Sequence, residues 1–224
     1  MKSRILLSVF IFSILSGKIY SQAFEKGNIT LSPAFNLGVY GTEINEEYTS
    51  IQGLREKNTE TDAAVSMIIP VMLEYGIKDW LGVGVRFGYS AYLTGTDSVE
   101  FKSKVNGIDG TLFLNLHLIK SRKRFDMPIS AQFGYSNLKI DFNDNQDLKA
   151  EDGGYTYGFS LLPRIYITKH FGFQFNVGYV AYVYPSLQFS DKTSSDVNAR
   201  AGKDWNFRFE GSGVNLGAGL ILKF

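Results

Sequence analysis

The chain has 224 residues, 23 Lys and Arg against 22 Asp and Glu, and no cysteine. That excludes a disulfide framework, a thiolate metal site and an N-terminal lipidated cysteine, and the near-neutral balance gives no electrostatic footprint for nucleic acid. The length fits one domain, and 23 Gly, 13 Tyr and 18 Phe point to crowded strands.

Residues 1–23 read "MKSRILLSVFIFSILSGKIYSQA". A basic start (Lys2, Arg4), an apolar run from Ile5 to Leu15 and small residues at Ser21 and Ala23 make the three-part pattern of a secretory signal peptide. The run is too short to cross about 30 Å of hydrocarbon as a helix. Cleavage is expected after Ala23, with the bond before Gln22 as the other choice. Losing Lys2, Arg4 and Lys18 leaves 20 basic residues against 22 acidic ones.

From residue 24 onward eight segments alternate with period two, which is the pattern of strands with one apolar face. The first places Ile29, Leu31, Pro33, Phe35, Leu37 and Val39 on one side, and the second Val65, Met67, Ile69, Val71, Leu73, Tyr75 and Ile77. The third carries Leu81, Val83, Val85, Phe87, Tyr89, Ala91 and Leu93, and the fourth Ile108, Leu112, Leu114, Leu116 and Leu118. The fifth carries Met127, Ile129, Ala131, Phe133 and Tyr135, and the sixth Tyr155, Tyr157, Phe159, Leu161, Pro163, Ile165 and Ile167. The seventh carries Phe171, Phe173, Phe175, Val177, Tyr179, Ala181 and Val183, and the eighth Val214, Leu216, Ala218, Leu220, Leu222 and Phe224. None of these faces bears a charge. The opposite faces are Gly, Asn, Ser, Thr and Gln with a few ions. A water-facing sheet would carry many more Lys and Glu, so the apolar rows are expected to meet lipid and the polar rows each other.

The links alternate between short ("KDW", "SRKRFD", "TKH") and long polar stretches ("GTEINEEYTSIQGLREKNTETD", Thr94 to Asn106, "NDNQDLKAEDGG", Pro185 to Gly211). Short on one rim and long on the other is the layout of an outer-membrane barrel. Residues 77–93 and 167–183 also repeat at a spacing of 90, sharing Gly82/Gly172 and Gly88/Gly178, which makes the hairpin the building unit. The expected fold is therefore all-β, a transmembrane eight-stranded antiparallel up-and-down barrel over residues 24–224.

The lumen-facing polar positions are Glu74, Arg86, Asp109, Asn115, His117, Gln132, Arg164, Gln174 and Asn176. Glu74 and Arg86, on strands joined by a short turn, are the expected pair. Two roles fit this set, a charge-paired plug or a small gated pore; eight strands leave an interior just filled by side chains, which favours the plug. Higher up, the same parity turns Tyr92, Leu138, Ile140, Phe142, Tyr182 and Tyr184 inward, and Trp205, Phe207 and Phe209 approach the same mouth. These residues either admit a small apolar molecule or pack the loop bases together. The two histidines, His117 in the lower lumen and His170 in a short turn, are poorly placed for hydrolysis at an outer leaflet. No catalytic residue, metal ligand or cofactor is assigned.

The leader, the eight alternating strands and the terminal Phe224 resemble the small outer-membrane barrels of the OmpA/OmpX type and the broad outer membrane protein beta-barrel domain or PorT-like family. The resemblance implies insertion by the barrel-assembly machinery, with Leu220, Leu222 and Phe224 matching its C-terminal signal. It implies residence in outer-membrane lipid and long loops open to a protein partner. Three functions follow: a structural or surface-interaction barrel, an OmpW-like narrow channel or binder of small hydrophobic molecules, and an accessory of a secretion machinery.

Overall fold

The structure, a computed structural model, describes residues 23–49, 54–94, 104–119, 124–141, 149–189 and 206–224. Among them run eleven strands: β1 (Ile29–Thr49), β2 (Arg55–Lys78), β3 (Leu81–Thr94), β4 (Lys104–His117), β5 (Phe125–Asp126), β6 (Pro128–Asp141), β7 (Lys149–Leu161), β8 (Arg164–Tyr166), β9 (Phe171–Tyr184), β10 (Gln188–Phe189) and β11 (Asn206–Lys223). They make eight barrel strands. β5 and β6 are one strand interrupted at Met127, and β7 and β8 are one interrupted at Leu162 and Pro163, with the register unchanged across each gap. Pro163 has no N–H to give. Its carbonyl still accepts from the Phe175 N–H at 2.8 Å, and Leu162 N–H donates to Pro128 O at 3.0 Å. β10 continues β9 along β7 beyond a one-residue shift at Pro185 to Leu187, a bulge.

Every pairing is antiparallel, and the last strand returns to the first: β11 pairs with β1 from Thr30↔Lys223 to Glu47↔Asn206. The sheet is closed. Following register partners from Ala181 through Tyr157, Phe133, Leu112, Val85, Leu73, Leu31 and Leu222 leads back to β9 at Phe171, ten residues below the start. Eight strands with that stagger tilt by about 40° at ordinary strand spacing and rise.

The apolar rows look outward. Leu112 is 69% exposed, and Phe35, Leu37, Val65, Ile69, Phe87, Ile108, Phe133, Phe159, Phe173 and Leu216 are exposed with it. From Val65 to Tyr75 the belt rises about 25 Å along the axis at that tilt, the height of a barrel's lipid-facing band. Tyr89, Tyr135, Tyr155, Tyr157 and Tyr179 stand outward toward one end of the belt, and Tyr75 and Trp80 toward the other. An exterior this apolar has water as its worst solvent, and in lipid the closed ring leaves no sheet edge unpaired.

Three expectations change. Ala181 and Val183 keep the outward parity yet are only 4% and 7% exposed, because β9 is covered on both faces from Val180 to Tyr184. Met127 lies between β5 and β6 and is half-buried. The long polar links are also shorter than their composition suggests, since strand pairing runs into them. Of the first, Thr42 to Thr49 and Arg55 to Asp62 belong to β1 and β2. The register of β1 with β2 and with β11 never slips, so inward and outward parity hold to the top. Among the described residues β2 continues from Ala63 to Arg55 past its uppermost pairing with β3, at Ala64↔Thr94. With β1 and the start of β11 it forms a continuous three-stranded wall among the described residues.

Replacing Leu112 by Arg, at mid-belt on the outer face, is expected to cost about 2–4 kcal/mol. The check is the urea midpoint of the barrel folded in lipid vesicles; an unchanged midpoint would mean the faces are assigned backwards.

Candidate functional site

The lumen is filled in layers. At the short-turn end Glu74 (β2), His117 (β4), Asp126 (β5) and Arg164 (β8) meet, all buried. Arg164 Nη1 lies 2.8 Å from Glu74 Oε2, His117 Nε2 is 3.0 Å from Glu74 Oε1, and His117 Nδ1 is 2.8 Å from Asp126 Oδ2. Arg164 Nε donates to Gln174 Oε1 at 2.8 Å, and the Thr30 hydroxyl donates to Glu74 Oε2 at 3.3 Å. Met72, Phe113 and Leu162 form an apolar layer above. Next comes a cavity of about 20 Å³ lined by Asn36, Arg86, Ser130, Gln132, Ser160, Gln174, Asn176 and Asn215 among others. It has room for about one water molecule.

Arg86 reaches away from Glu74. Its guanidinium pairs with Asp109 on β4, 2.5 Å from Nη1 to Oδ2. The expected Glu74–Arg86 pair is thus replaced by two others, Glu74 with Arg164 and Arg86 with Asp109. The reason is geometric: Glu74 and Arg86 sit two residues apart in register, while the Arg164 side chain reaches Glu74 from β8 across the lumen. Two recurring glycines make space for these carboxylates. A Cβ on Gly82 would overlap Glu74 Oε1, and one on Gly88 would stand 2.6 Å from Asp109 Oδ1. Of the polar set, Asn115 is buried without a partner for its amide among the described residues, Gln132 is half-buried at the cavity, and Asn176 donates to Asn215 Oδ1.

Above Arg86 the lumen turns apolar. Tyr40, Ile68, Val105, Leu138, Val180, Tyr182 and Tyr184 form one buried cluster, with Tyr92, Ile140 and Phe209 packed against it. Tyr40 meets Tyr92 and Tyr182 edge-on at 6.1 and 5.9 Å, Tyr182 stacks on Tyr184 at 6.4 Å, and Tyr184 leans on Phe209 at 5.9 Å. Such pairs add stability beyond burial. The mouth residues therefore pack on one another, and a cavity of about 380 Å³ lies at the flank of the cluster, lined by Tyr182 with Thr42, Asp62, Ala181, Val183 and Gly211 among others. Phe207 is half-buried beside them; Phe142 and Trp205 lie outside the described residues. Tyr40, Ile68 and Val105 belong to the cluster although the mouth reading passed them over. Their inward parity was the available signal. Leu220 and Phe224 face outward, and Leu222 is half-buried.

No family model matches this chain, and no curated protein matches it. Solved structures do. The outer membrane protein OprG from Pseudomonas aeruginosa superposes with a TM-score of 0.56 at 12% identity, covering 91% of this chain and 99% of that one. The N-terminal β-barrel domain of Pseudomonas aeruginosa OprF gives 0.45 at 10% identity over 89% and 99%. Neisserial surface protein A gives 0.42 at 13% over 85% and 99%. At these identities the likeness to OprG is one of fold, the small outer-membrane barrel.

Arg164→Met leaves Glu74 and Asp126 buried with only His117 between them and is expected to cost about 3–5 kcal/mol, read from the urea midpoint in vesicles. A change under about 1 kcal/mol would show that the cluster tolerates an unbalanced carboxylate, as exposed pairs do.

Proposed function

We propose that this chain is an integral outer-membrane β-barrel that acts at the cell surface through the wall built by β1, β2 and β11, and that it is neither a conduit nor an enzyme. The carrying observation is the contrast between a packed lumen and an exposed sheet. A charged layer, an apolar layer, the Arg86–Asp109 pair and an aromatic cap follow one another along the axis, with space for about one water between them. Every β2 residue from Arg55 to Ala63 is exposed, and that stretch has a pairing partner only on its β1 side among the described residues. A strand edge of this kind can accept an extended segment of another chain through main-chain hydrogen bonds.

The two faces of the wall differ in charge. Outward, Arg55 pairs with Glu47 and Arg208 with Glu210, each at 2.5 Å. Inward, parity gathers Glu46, Glu56, Glu60 and Asp62 beside Ile44, Phe207 and Phe209. Partial burial and the facing Glu60 carboxylate hold the Glu46 carboxyl above its ordinary range. The recognised partner accordingly carries basic side chains. Like-charge crowding is released when such a partner arrives.

Two measurements test this. With a photo-cross-linking residue at Lys57, whole cells are expected to give discrete adducts with a protein partner that vanish when the hairpin is shortened below Asn45 and Thr59; the same probe at Leu73 should give lipid adducts only. Adducts absent at Lys57, or retained after shortening, overturn the surface role, and cross-links to secretion components would favour the accessory reading.

Glu46→Gln is expected to firm the wall. A raised carboxyl pKa makes the folded wall most stable below the unfolded-state pKa near 4.3 and less so as pH climbs through the folded value. The variant should therefore slow amide exchange from Thr42 to Glu47 at pH 7 and leave it unchanged at pH 4.

A further inference from the structure

The short-turn mouth is stoppered by residues that precede the first strand. Ala23 and Phe24 are 1% and 5% exposed. The Phe24 ring lies flat on the His117 imidazole, with centroids 3.4 Å apart and planes 8° from parallel. Ala23 packs with Tyr166 and Ile221, both fully buried. Four further contacts fix the approach. Glu25 N–H donates to Asn28 Oδ1 at 2.9 Å, Gly27 N–H to Gly76 O at 2.8 Å, Gly76 N–H to Asn28 O at 2.9 Å, and Lys26 N–H to Asp79 Oδ1 at 3.0 Å. Gly27 takes a φ of 85°, which turns the chain from the mouth into β1. Gly76 is bare because the segment passes over it: a Cβ there would stand 2.5 Å from Glu25 O and 3.1 Å from the Phe24 ring. The barrel wall is shaped to receive this turn.

We infer that Ala23 and Phe24 are a built-in stopper of the mature barrel, so that the leader is removed on the N-terminal side of Ala23, with Ser21 as the small residue before the cut and Gln22 as the first residue of the mature chain. Cleavage after Ala23, the best match to a small-x-small site, would take Ala23 out of its contact with Tyr166 and Ile221. It would also leave an ammonium on a residue that is 5% exposed, and a buried charge is costly unless a partner neutralises it. With Ala23 retained, the ammonium is carried by Gln22, and neither Ala23 nor Phe24 has to bury it. Phe24 then closes the Glu74–His117–Asp126–Arg164 layer against the water at that mouth. The inference rests on the leader reading and is separable from the surface role.

Its test has two parts. Intact mass and the N-terminal peptide of the protein purified from outer membranes should give Gln22 as the first residue. A chain beginning at Phe24 or beyond overturns the inference; one beginning at Met1 overturns the leader reading with it. The second part uses the two histidines. Diethyl pyrocarbonate applied to the folded barrel should modify exposed His170 and spare His117, with Phe24→Ala raising modification of His117 several-fold and Phe24→Leu largely restoring protection. His117 reacting as fast as His170 in the unaltered protein, or unmoved by Phe24→Ala while the barrel stays folded, would show that Phe24 seals nothing.

Discussion

Ring closure is the constraint from which the other features follow. In hydrocarbon an unpaired backbone N–H or C=O costs several kcal/mol, so the sheet must end where it begins. The seam between β1 and β11 meets this to its last residue: Phe224 N–H donates to Ile29 O at 2.8 Å, and Ile29 N–H donates to Phe224 O at 3.2 Å. A frayed C-terminus would open a row of bare donors and acceptors to lipid. The alternation up to Phe224 is what lets the last strand bury its backbone in the sheet while its side chains stay in lipid.

Closure with eight strands and a ten-residue stagger also fixes how much can stand inside. The interior is narrow, so each large inward side chain needs a small one opposite. Gly82 under Glu74 and Gly88 beside Asp109 are such concessions. Charges placed in so dry a space must be matched. The lower layer does so with two carboxylates, an arginine and a histidine, and the upper with one ion pair. A buried ion pair is weak evidence for stability, because desolvation offsets most of the attraction. Its effect here is on order: Glu74 on β2 reaches Arg164 on β8 and His117 on β4, which ties together strands that are not neighbours in the sheet.

The faces were legible in the sequence because parity is a local property. A residue two places along a strand points the same way, and no lipid-facing row from Ile29 to Phe224 carried a charge. Partnership across the lumen was not legible. Glu74 and Arg86 are near in sequence and share the inner face, yet they sit two residues apart in register, and Arg164 arrives from the far side. Strand length was hidden too: the stretch from Thr42 to Asp62 is polar, and a strand above the membrane has water on both faces, so period two has nothing to mark it. The mouth residues were legible as inward-facing, but their mutual packing depends on how wide the ring is, which only the summed register reveals. Ala23 read as the end of the leader, and its packing on Tyr166 was not legible, because composition alone does not show what a small residue touches.

The surface features gather on one side because β1 and β2 are the longest of the described strands, at 21 and 24 residues. Their extra length cannot be held by lipid, and it is not spent on the lumen, which the aromatic cap closes at Tyr92 and Tyr184. It stands in water, where a two-sided polar sheet gains little from burial and keeps inward carboxylates close enough to repel. Such a wall is maintained against its own electrostatics by continuous register with the membrane-held strands below it. In the surface role proposed above, such a wall has the advantage that the barrel below already holds the stretch from Arg55 to Ala63 in register with β1. Little ordering entropy is then left to offset on binding.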